Sequence, residues 1–147
     1  MSISPKLNRR RVLMRITIES NYAIMIIAFL TSSESKLIAK TISDNTGVTL
    51  RFTLKVLRKL CIAKLVRSYK GSHGGYELAK NSSEISFKDV IEAVDGPIDI
   101  NRCENNCMCN KAQNPTSCEY FAIFADVSDT IRNKLSSITF DKNHSGS

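Results

Sequence analysis

The sequence contains no tryptophan, and among its 147 residues there are only six glycines and three prolines. This scarcity excludes collagen-like, linker-like and low-complexity chains. Long apolar runs are also missing. The longest, Tyr22–Leu30, is far shorter than the roughly 20 residues that a membrane-spanning helix needs. Three arginines at 9–11 come before it, but Arg15 and Glu19 intervene and no cleavage site follows. We therefore expect a buried core helix in a cytoplasmic protein without a membrane partner.

Acidic residues are scarce in the first part of the chain. Residues 1–80 hold 15 lysines and arginines against four aspartates and glutamates, whereas residues 81–147 hold six against ten. The net charge is +7, and the 42% hydrophobic and 24% charged composition is that of one ordinary globular domain. The basic half indicates a polyanionic partner such as nucleic acid, although an uneven scatter of surface lysines gives the same balance.

Helical periodicity predicts three helices in the basic half, over residues 16–31, over 37–43 and from Thr49 to about Cys61. The turn between the last two ends at Gly47, which suits a left-handed residue, and the Thr49 hydroxyl suits an N-cap. The third helix has an apolar side and a basic side. The apolar side carries Phe52, Val56, Leu57 and Leu60, and the basic side carries Arg51, Lys55, Arg58 and Lys59.

Two helices joined by a short turn, with a basic outer face on the second, are typical of a helix-turn-helix. A helix fits the major groove of DNA, where its first residues reach base edges and neighbouring cations meet phosphates. Arg51 and Lys55 are the candidates for base edges. Thr49 is a candidate for a phosphate, and Arg58 and Lys59 are further candidates for contact with DNA. An ordinary solvated basic helix has the same pattern, so periodicity alone leaves both interpretations open.

The next segment favours a DNA-binding protein. Residues 63–69 alternate apolar and polar side chains, residues 70–75 form a glycine-rich turn, and residues 76–79 are typical of a returning strand. The pattern predicts a β-hairpin wing directly after the recognition helix. Its tip holds Lys70 and His73, and Gly74 and Gly75 allow the backbone to come close to a phosphate or a narrow groove.

The acidic half predicts two more helices. Residues 86–94 form a helix that Ser86 caps and that Asp95–Pro97 ends, and an irregular stretch follows at 98–117. The last helix, over 118–137, has an apolar stripe that indicates a dimer interface, although the stripe could instead pack against its own domain. This stripe consists of Phe121, Phe124, Val127, Ile131 and Leu135. We expect a disordered basic tail at 1–13, a DNA-binding domain at 14–97 and a tail at 138–147.

Four of the five cysteines fall within 16 residues, and three, one and eight residues separate Cys103, Cys107, Cys109 and Cys118. Cys61 stands apart as a candidate buried residue. The clustering and the odd number argue against a secreted disulfide scaffold. Zinc sites use two short knuckles, which this array lacks, whereas thiolates at irregular spacing can converge on an iron-sulfur cluster. The spacing favours iron-sulfur and leaves zinc or free thiols open.

Several segments together resemble one family, the Rrf-type winged helix-turn-helix transcription regulators, which include IscR-like and NsrR-like iron-sulfur regulators. The resemblance extends over about residues 14–137. It is carried by Met14-Arg-Ile-Thr, Asn21-Tyr-Ala, Leu57-Arg-Lys-Leu60, Gly71-x-x-Gly-Gly-Tyr76 and Glu92-Ala-Val-Asp-Gly-Pro97, followed by the cysteine loop.

The resemblance implies a homodimer with a long dimerisation helix and a 2Fe-2S or 4Fe-4S cluster, the latter favoured, on three loop cysteines and a variable fourth ligand. Cys103 and Cys118 match the outer two, and either Cys107 or Cys109 matches the middle one. Phe121 stands where some members have a histidine. Asn21 stands where others have an acid from the partner's first helix. We therefore expect all four clustered cysteines as ligands.

The sequence thus predicts a mainly α fold with a β-hairpin wing and a long C-terminal helix. The predicted function is that of a cytoplasmic dimeric repressor whose affinity for a double-stranded DNA operator depends on an iron-sulfur cluster. The alternatives are a cluster-free regulator using thiols or zinc and, from another class, an iron-sulfur redox carrier, in which a wing has no role. We expect no enzyme, since the chain has no phosphate loop or triad and only His73 and His144 as histidines.

Overall fold

The computed structural model describes residues 16–100 and 119–141, so Cys61 is the one cysteine within the described ranges. These ranges contain five α-helices and one antiparallel hairpin, which confirms the predicted fold class. The elements are α1 (Ile18–Thr31), α2 (Ala39–Thr46), α3 (Leu50–Ile62), β1 (Val66–Tyr69), β2 (Gly75–Leu78), α4 (Phe87–Asp95) and α5 (Glu119–Ser136).

The apolar run of the sequence forms α1, which lies at the centre of the core. Its inner side packs against α3 and α4, while Met25 remains 44% exposed on the outer side. Each fully buried aliphatic side chain contributes about 1.5–3 kcal/mol to folding. The core residues of these three helices are Ala23, Ile26, Ile27, Leu30, Val56, Leu57, Leu60, Val90 and Val94. Within the described ranges, no helix combines the length and hydropathy that crossing a bilayer takes.

The second helix begins two residues later than the periodicity predicts. Leu37 is extended and bridges to the wing: its N–H donates to the Tyr76 carbonyl at 3.0 Å, and its carbonyl accepts from the Tyr76 N–H at 2.8 Å. Ile38 is the N-cap and is exposed. Helical spacing of apolar residues cannot detect a backbone partner 39 positions away. The end of α2 agrees with the prediction, because Gly47 has a φ of +71°.

Helix α3 buries Thr53, Val56, Leu57 and Leu60. Phe52, predicted on the apolar side, is 39% exposed, and its ring meets that of Tyr22 at a centroid distance of 5.9 Å. Thr49 occupies the N-cap position, but its side chain makes no capping hydrogen bond, contrary to the sequence prediction.

The predicted hairpin is present and follows α3 through a short turn, in which Lys64 has a φ of +60°. Its first strand begins at Val66 instead of residue 63. The antiparallel register pairs Val66 with Leu78 and Tyr69 with Gly75. With Leu37 bridged to Tyr76, β2 lies between residue 37 and β1.

The predicted cap of α4 is confirmed as a reciprocal capping box: the Asp89 N–H donates to the Ser86 hydroxyl, and the Ser86 N–H donates to the Asp89 carboxylate. The segment after α5 corrects the expectation of a tail from residue 138. Phe140 is 6% exposed and stacks on Phe87 at 4.5 Å, and its N–H donates to the Ile85 carbonyl at 3.2 Å. Because these contacts join distant parts of the chain, local sequence could not reveal them.

Candidate nucleic-acid interface

The side of α3 opposite the core is basic, as predicted. Arg51, Lys55 and Arg58 are exposed there, one helical turn apart along the axis. Arg51 and Arg58 form no ion pair with the described residues of the chain. Two apolar side chains that the sequence reasoning missed, Leu50 and Leu54, lie beside them and are 41% and 45% exposed. Exposed leucines within a helical pattern are the signal that could have found them.

Two of the predicted DNA-binding lysines contact a carboxylate of α1. Lys55 donates to Glu19, and Lys59 donates to Glu19 Oε2 at 2.7 Å and to the Val94 carbonyl at 3.0 Å. These hydrogen bonds hold the pKa of Glu19 below its usual range. Lys59 is therefore turned towards α1 and α4, away from the outer face that the periodicity assigned to it. The sequence gives no signal for this role of Glu19, which lies 40 positions from Lys59.

A second polar junction joins the start of α1 to the end of α4. The Asp95 carboxylate accepts hydrogen bonds from the Thr17 hydroxyl at 2.6 Å and from the Ser20 hydroxyl at 2.7 Å, and Ser20 is fully buried. Together with the bond from Lys59 to Val94, this junction connects α3, α1 and the end of α4.

The chain after α4 runs on to α5. The Ile98 carbonyl accepts from Arg132 Nη1 at 2.5 Å, and the Ile100 N–H donates to the Ser128 hydroxyl at 3.1 Å. Ser128 is the buried residue of α5. Residues 95–100 therefore lead from the junction beside the recognition helix to α5, just ahead of the cysteine segment.

The wing tip presents Lys70 and His73 to solvent, as predicted. Glycine is required at positions 74 and 75, because neighbouring backbone atoms leave no room for a Cβ. A Cβ on Gly74 would lie 2.4 Å from the Tyr69 carbonyl oxygen, and one on Gly75 would lie 2.9 Å from the Leu37 oxygen. The two glycines therefore shape the hairpin and its bridge to Leu37, in addition to any contact with a ligand.

Helix α5 exposes a large apolar surface. Phe124 is 46% and Val127 is 39% exposed, while Phe121, Ile131 and Leu135 are half-buried. Tyr120 and Ile123 extend the exposed part. Within the described part of the chain, Phe124 and Val127 of this stripe therefore remain exposed to solvent.

The four clustered cysteines, Cys103, Cys107, Cys109 and Cys118, lie outside the described residues. Among the residues that are described, no three histidine, cysteine, aspartate or glutamate side chains converge on a possible metal position. Cys61 is half-buried at the end of α3, and burial raises the pKa of its thiol more than a hydrogen bond with Ser68 lowers it.

A helix-turn-helix followed by a glycine-shaped wing defines a winged-helix DNA-binding fold. Residues 16–142 match the family model described as "Rrf2: Iron-dependent Transcriptional regulator". The chain belongs to the Rrf2 family of transcriptional regulators, as the sequence motifs indicated, and its relatives are regulators instead of enzymes.

Relatives named HTH-type transcriptional regulator IscR extend over most of the chain. The one from Pectobacterium atrosepticum is 34% identical over 131 residues, which are 88% of this chain and 78% of that protein. The one from Escherichia coli O1:K1 is 33% identical over 128 residues, covering 86% of this chain and 77% of the relative.

Two solved structures show the same fold. CymR, the global cysteine regulator of B. subtilis, aligns with a TM-score of 0.67 at 22% identity, over 87% of this chain and 94% of its own. T. potens IscR also aligns with a TM-score of 0.67, at 19% identity, over 91% of this chain and 93% of its own.

Proposed function

We propose that the protein is a cytoplasmic dimeric repressor that binds a double-stranded DNA operator with an affinity set by an iron-sulfur cluster. The observation that supports DNA binding most directly is the exposed basic face of α3, with Arg51 and Arg58 unpaired in the described part of the chain, beside a glycine-rich wing. Guanidinium groups bind guanine edges and phosphates, and a helix of this size enters the major groove.

The proposed contacts divide by chemistry. Arg51 and Lys55, near the start of α3, read base edges, and the exposed methyl groups of Leu54 meet thymine methyls. Thr49 and Arg58 contact phosphates. Lys59 acts mainly by holding α3 against α1 and α4. The wing contacts the adjacent minor groove or backbone through Lys70, His73, Gly74 and Gly75.

The exposed stripe of α5 supports the dimer. Pairing two copies of this helix about a two-fold axis buries Phe124 and Val127 of both protomers, and a symmetric dimer matches a palindromic operator. Its two recognition helices must then sit on half-sites about 34 Å apart.

The donor set supports an iron-sulfur cluster, because four closely spaced thiolates are the ligands that such clusters use. The family description and the IscR names of the relatives point the same way. We propose Cys103, Cys107, Cys109 and Cys118 as ligands, and a 4Fe-4S cluster ahead of a 2Fe-2S cluster. The group supplies a redox- and nitric oxide-sensitive centre. A cluster-free sensor that uses the thiols or zinc is the second candidate.

The described flanks of the cysteine segment suggest how the state of the loop reaches the DNA-binding face. Ile100 is bonded to Ser128 of α5, and Asp95 is bonded to the start of α1. A change in conformation between residues 100 and 119 would therefore displace α5, the proposed dimer helix. It would also displace the junction between Asp95 and α1 that positions α3. The distance between the two recognition helices changes as a result.

DNA binding is tested with operators selected from a random duplex pool by the wild-type protein. We expect Arg51→Ala to weaken binding and to relax the preference at one base position, at a cost of about 1–3 kcal/mol. Lys134→Ala, which removes one charge from the end of α5, is the matched control and should leave the preference unchanged. If the Arg51 variant keeps the wild-type base preference at every operator position, the proposed base contact is contradicted.

The cluster is tested by anaerobic purification with visible absorption and iron and sulfide assays. Cys107→Ala and Cys109→Ala, made separately, should each strip or destabilise the cluster if all four cysteines bind. Cys61→Ala is the control that should not. A colourless protein that contains zinc alone favours the second candidate.

A further inference from the structure

A groove of about 500 Å³ lies between the end of α3 and the hairpin. Three cations line it: Lys64 in the turn after α3, Arg67 on β1 and Lys80 just beyond β2. Among the described residues that line it, none carries a carboxylate. The sequence reasoning assigned none of these three residues to DNA.

The three cations have no acidic partner in the described part of the chain. The ion pairs of residues 16–100 and 119–141 all involve other cations, namely Lys40, Lys55, Lys59, Lys88 and Arg132. Glu77 lies opposite Arg67 in the hairpin, but its carboxylate accepts a hydrogen bond from the Tyr69 hydroxyl at 2.6 Å. Three like charges around one groove repel each other, and an anion relieves that repulsion.

The backbone supplies a further donor. The N–H and carbonyl of Tyr76 both bond to Leu37, so they face away from β1. Ser68, the residue opposite Tyr76, therefore belongs to a non-hydrogen-bonded pair, and its own N–H and carbonyl face the free edge of β1. Ser68 lines the groove, so a backbone N–H accompanies the three cations.

Among the described residues, no acidic side chain lines the groove itself, and Glu77 of β2 is bonded to the Tyr69 hydroxyl. The helix end beside the groove is capped, because the carbonyls of Lys59, Leu60 and Cys61 accept bonds from the N–H groups of Ala63, Leu65 and Lys64. Burial raises the pKa of the Cys61 thiol at the edge of the groove.

We propose that this groove seats the sugar-phosphate backbone of the bound DNA, through Lys64, Arg67, Lys80 and the N–H of Ser68. The proposal rests on the proposed function and adds to it a second, sequence-independent contact. The recognition helix and the wing bound the groove, so it is continuous with the proposed DNA-binding surface. This continuity favours DNA over an acidic peptide added to the edge of β1. Contacts of this kind set affinity and register without reading bases.

The test measures binding of a 30-base-pair random-sequence duplex by fluorescence anisotropy between 50 and 200 mM KCl. Lys64→Gln/Lys80→Gln is compared with Lys88→Gln/Lys134→Gln, which removes two charges from α4 and α5. Loss of two phosphate contacts lowers the slope of log K against log salt by about 1.8. If the salt curves of the wild type and the variant meet at 1 M, this is about a 60-fold loss of affinity at 0.1 M. The salt slope of the Lys88/Lys134 control variant should stay near the wild-type value. The base preference of the Lys64/Lys80 variant on the selected operator should also stay near wild type.

The outcomes separate the two proposals. If the wild type fails to bind duplex DNA, the proposed function fails. If the wild type binds and both double variants have the same slope, the groove proposal alone is overturned. It is also overturned if the Lys64/Lys80 variant keeps its DNA slope but loses binding of a polyglutamate peptide that the wild type holds, since the groove then serves an acidic segment. Unchanged circular dichroism and melting temperature show that the variants fold.

Discussion

Glu19→Gln should make the protein bind DNA more tightly while making it less stable. In the native fold Glu19 engages Lys55, one of the proposed base-edge residues, and also Lys59. DNA must compete with this carboxylate for Lys55. Glutamine keeps the size of the side chain and removes the charge, so the competition ends while the packing of α1 stays the same.

The magnitudes follow from the contacts. Lys55 is half-exposed in its pair with Glu19, and such pairs are worth about 0.2–1 kcal/mol. The bond from the more buried Lys59 is charge-assisted and adds roughly 1 kcal/mol, so the variant should lose about 1–2 kcal/mol in total. For a chain of this length, each kcal/mol shifts the melting temperature by about 4 °C. On random-sequence DNA, which offers no specific base, a released Lys55 that neutralises one phosphate raises the salt slope by about 0.9. This is roughly eightfold in affinity at 0.1 M under the same extrapolation.

The assay is the anisotropy titration on random-sequence duplex, combined with thermal unfolding. Glu34→Gln removes the same charge from the exposed turn after α1 and is the matched control. The reasoning is refuted if Glu19→Gln folds normally and its affinity and slope equal those of the Glu34 variant. A weaker affinity would show that Glu19 orients Lys55 for DNA instead of withholding it.

The same carboxylate predicts a pH dependence. The hydrogen bonds from Lys55 and Lys59 lower the pKa of Glu19 in the folded state, so the stability that it contributes is fully present above the unfolded value of about 4.3. This contribution is lost as the pH falls through the lowered folded value. The stability difference between the wild type and Glu19→Gln, measured by urea unfolding, should therefore be constant from pH 6 to 8 and should shrink as the pH falls below the unfolded value. A difference that does not shrink at acid pH would have another origin.

Three further substitutions test the fold. Phe140→Ala should cost about 3–5 kcal/mol in urea unfolding, because it empties a buried position stacked on Phe87; a cost below 1 kcal/mol would mean that the segment after α5 is not docked. Lys64→Gly should raise the melting temperature by a few degrees, since a left-handed lysine costs about 1 kcal/mol and glycine does not; no gain would contradict the turn geometry. Gly75→Ala should weaken DNA binding with the helical core intact, because its Cβ meets the Leu37 carbonyl; wild-type affinity would argue against the bridge.

The elements that local sequence predicts correctly are those whose causes are local. The left-handed end of α2 depends on Gly47, and the start of α4 depends on Ser86 and Asp89, three residues apart. The wing follows from alternation and a glycine-rich turn. The family follows from motifs along the chain, such as Gly71-x-x-Gly-Gly-Tyr76, whose side-chain identities are visible without any structure.

The contacts that shape the candidate interface depend on tertiary structure. Lys59 is turned inward by Glu19, 40 positions away, and Asp95 is bonded to Thr17 across 78 positions. Leu37 leaves its predicted helix because the backbone of Tyr76 satisfies both of its hydrogen-bonding groups. Periodicity shows which face of a helix a residue occupies, but it does not show which other element packs beside that face. Only the folded chain therefore decided which basic residues stay free for a polyanion and which hold the helices together.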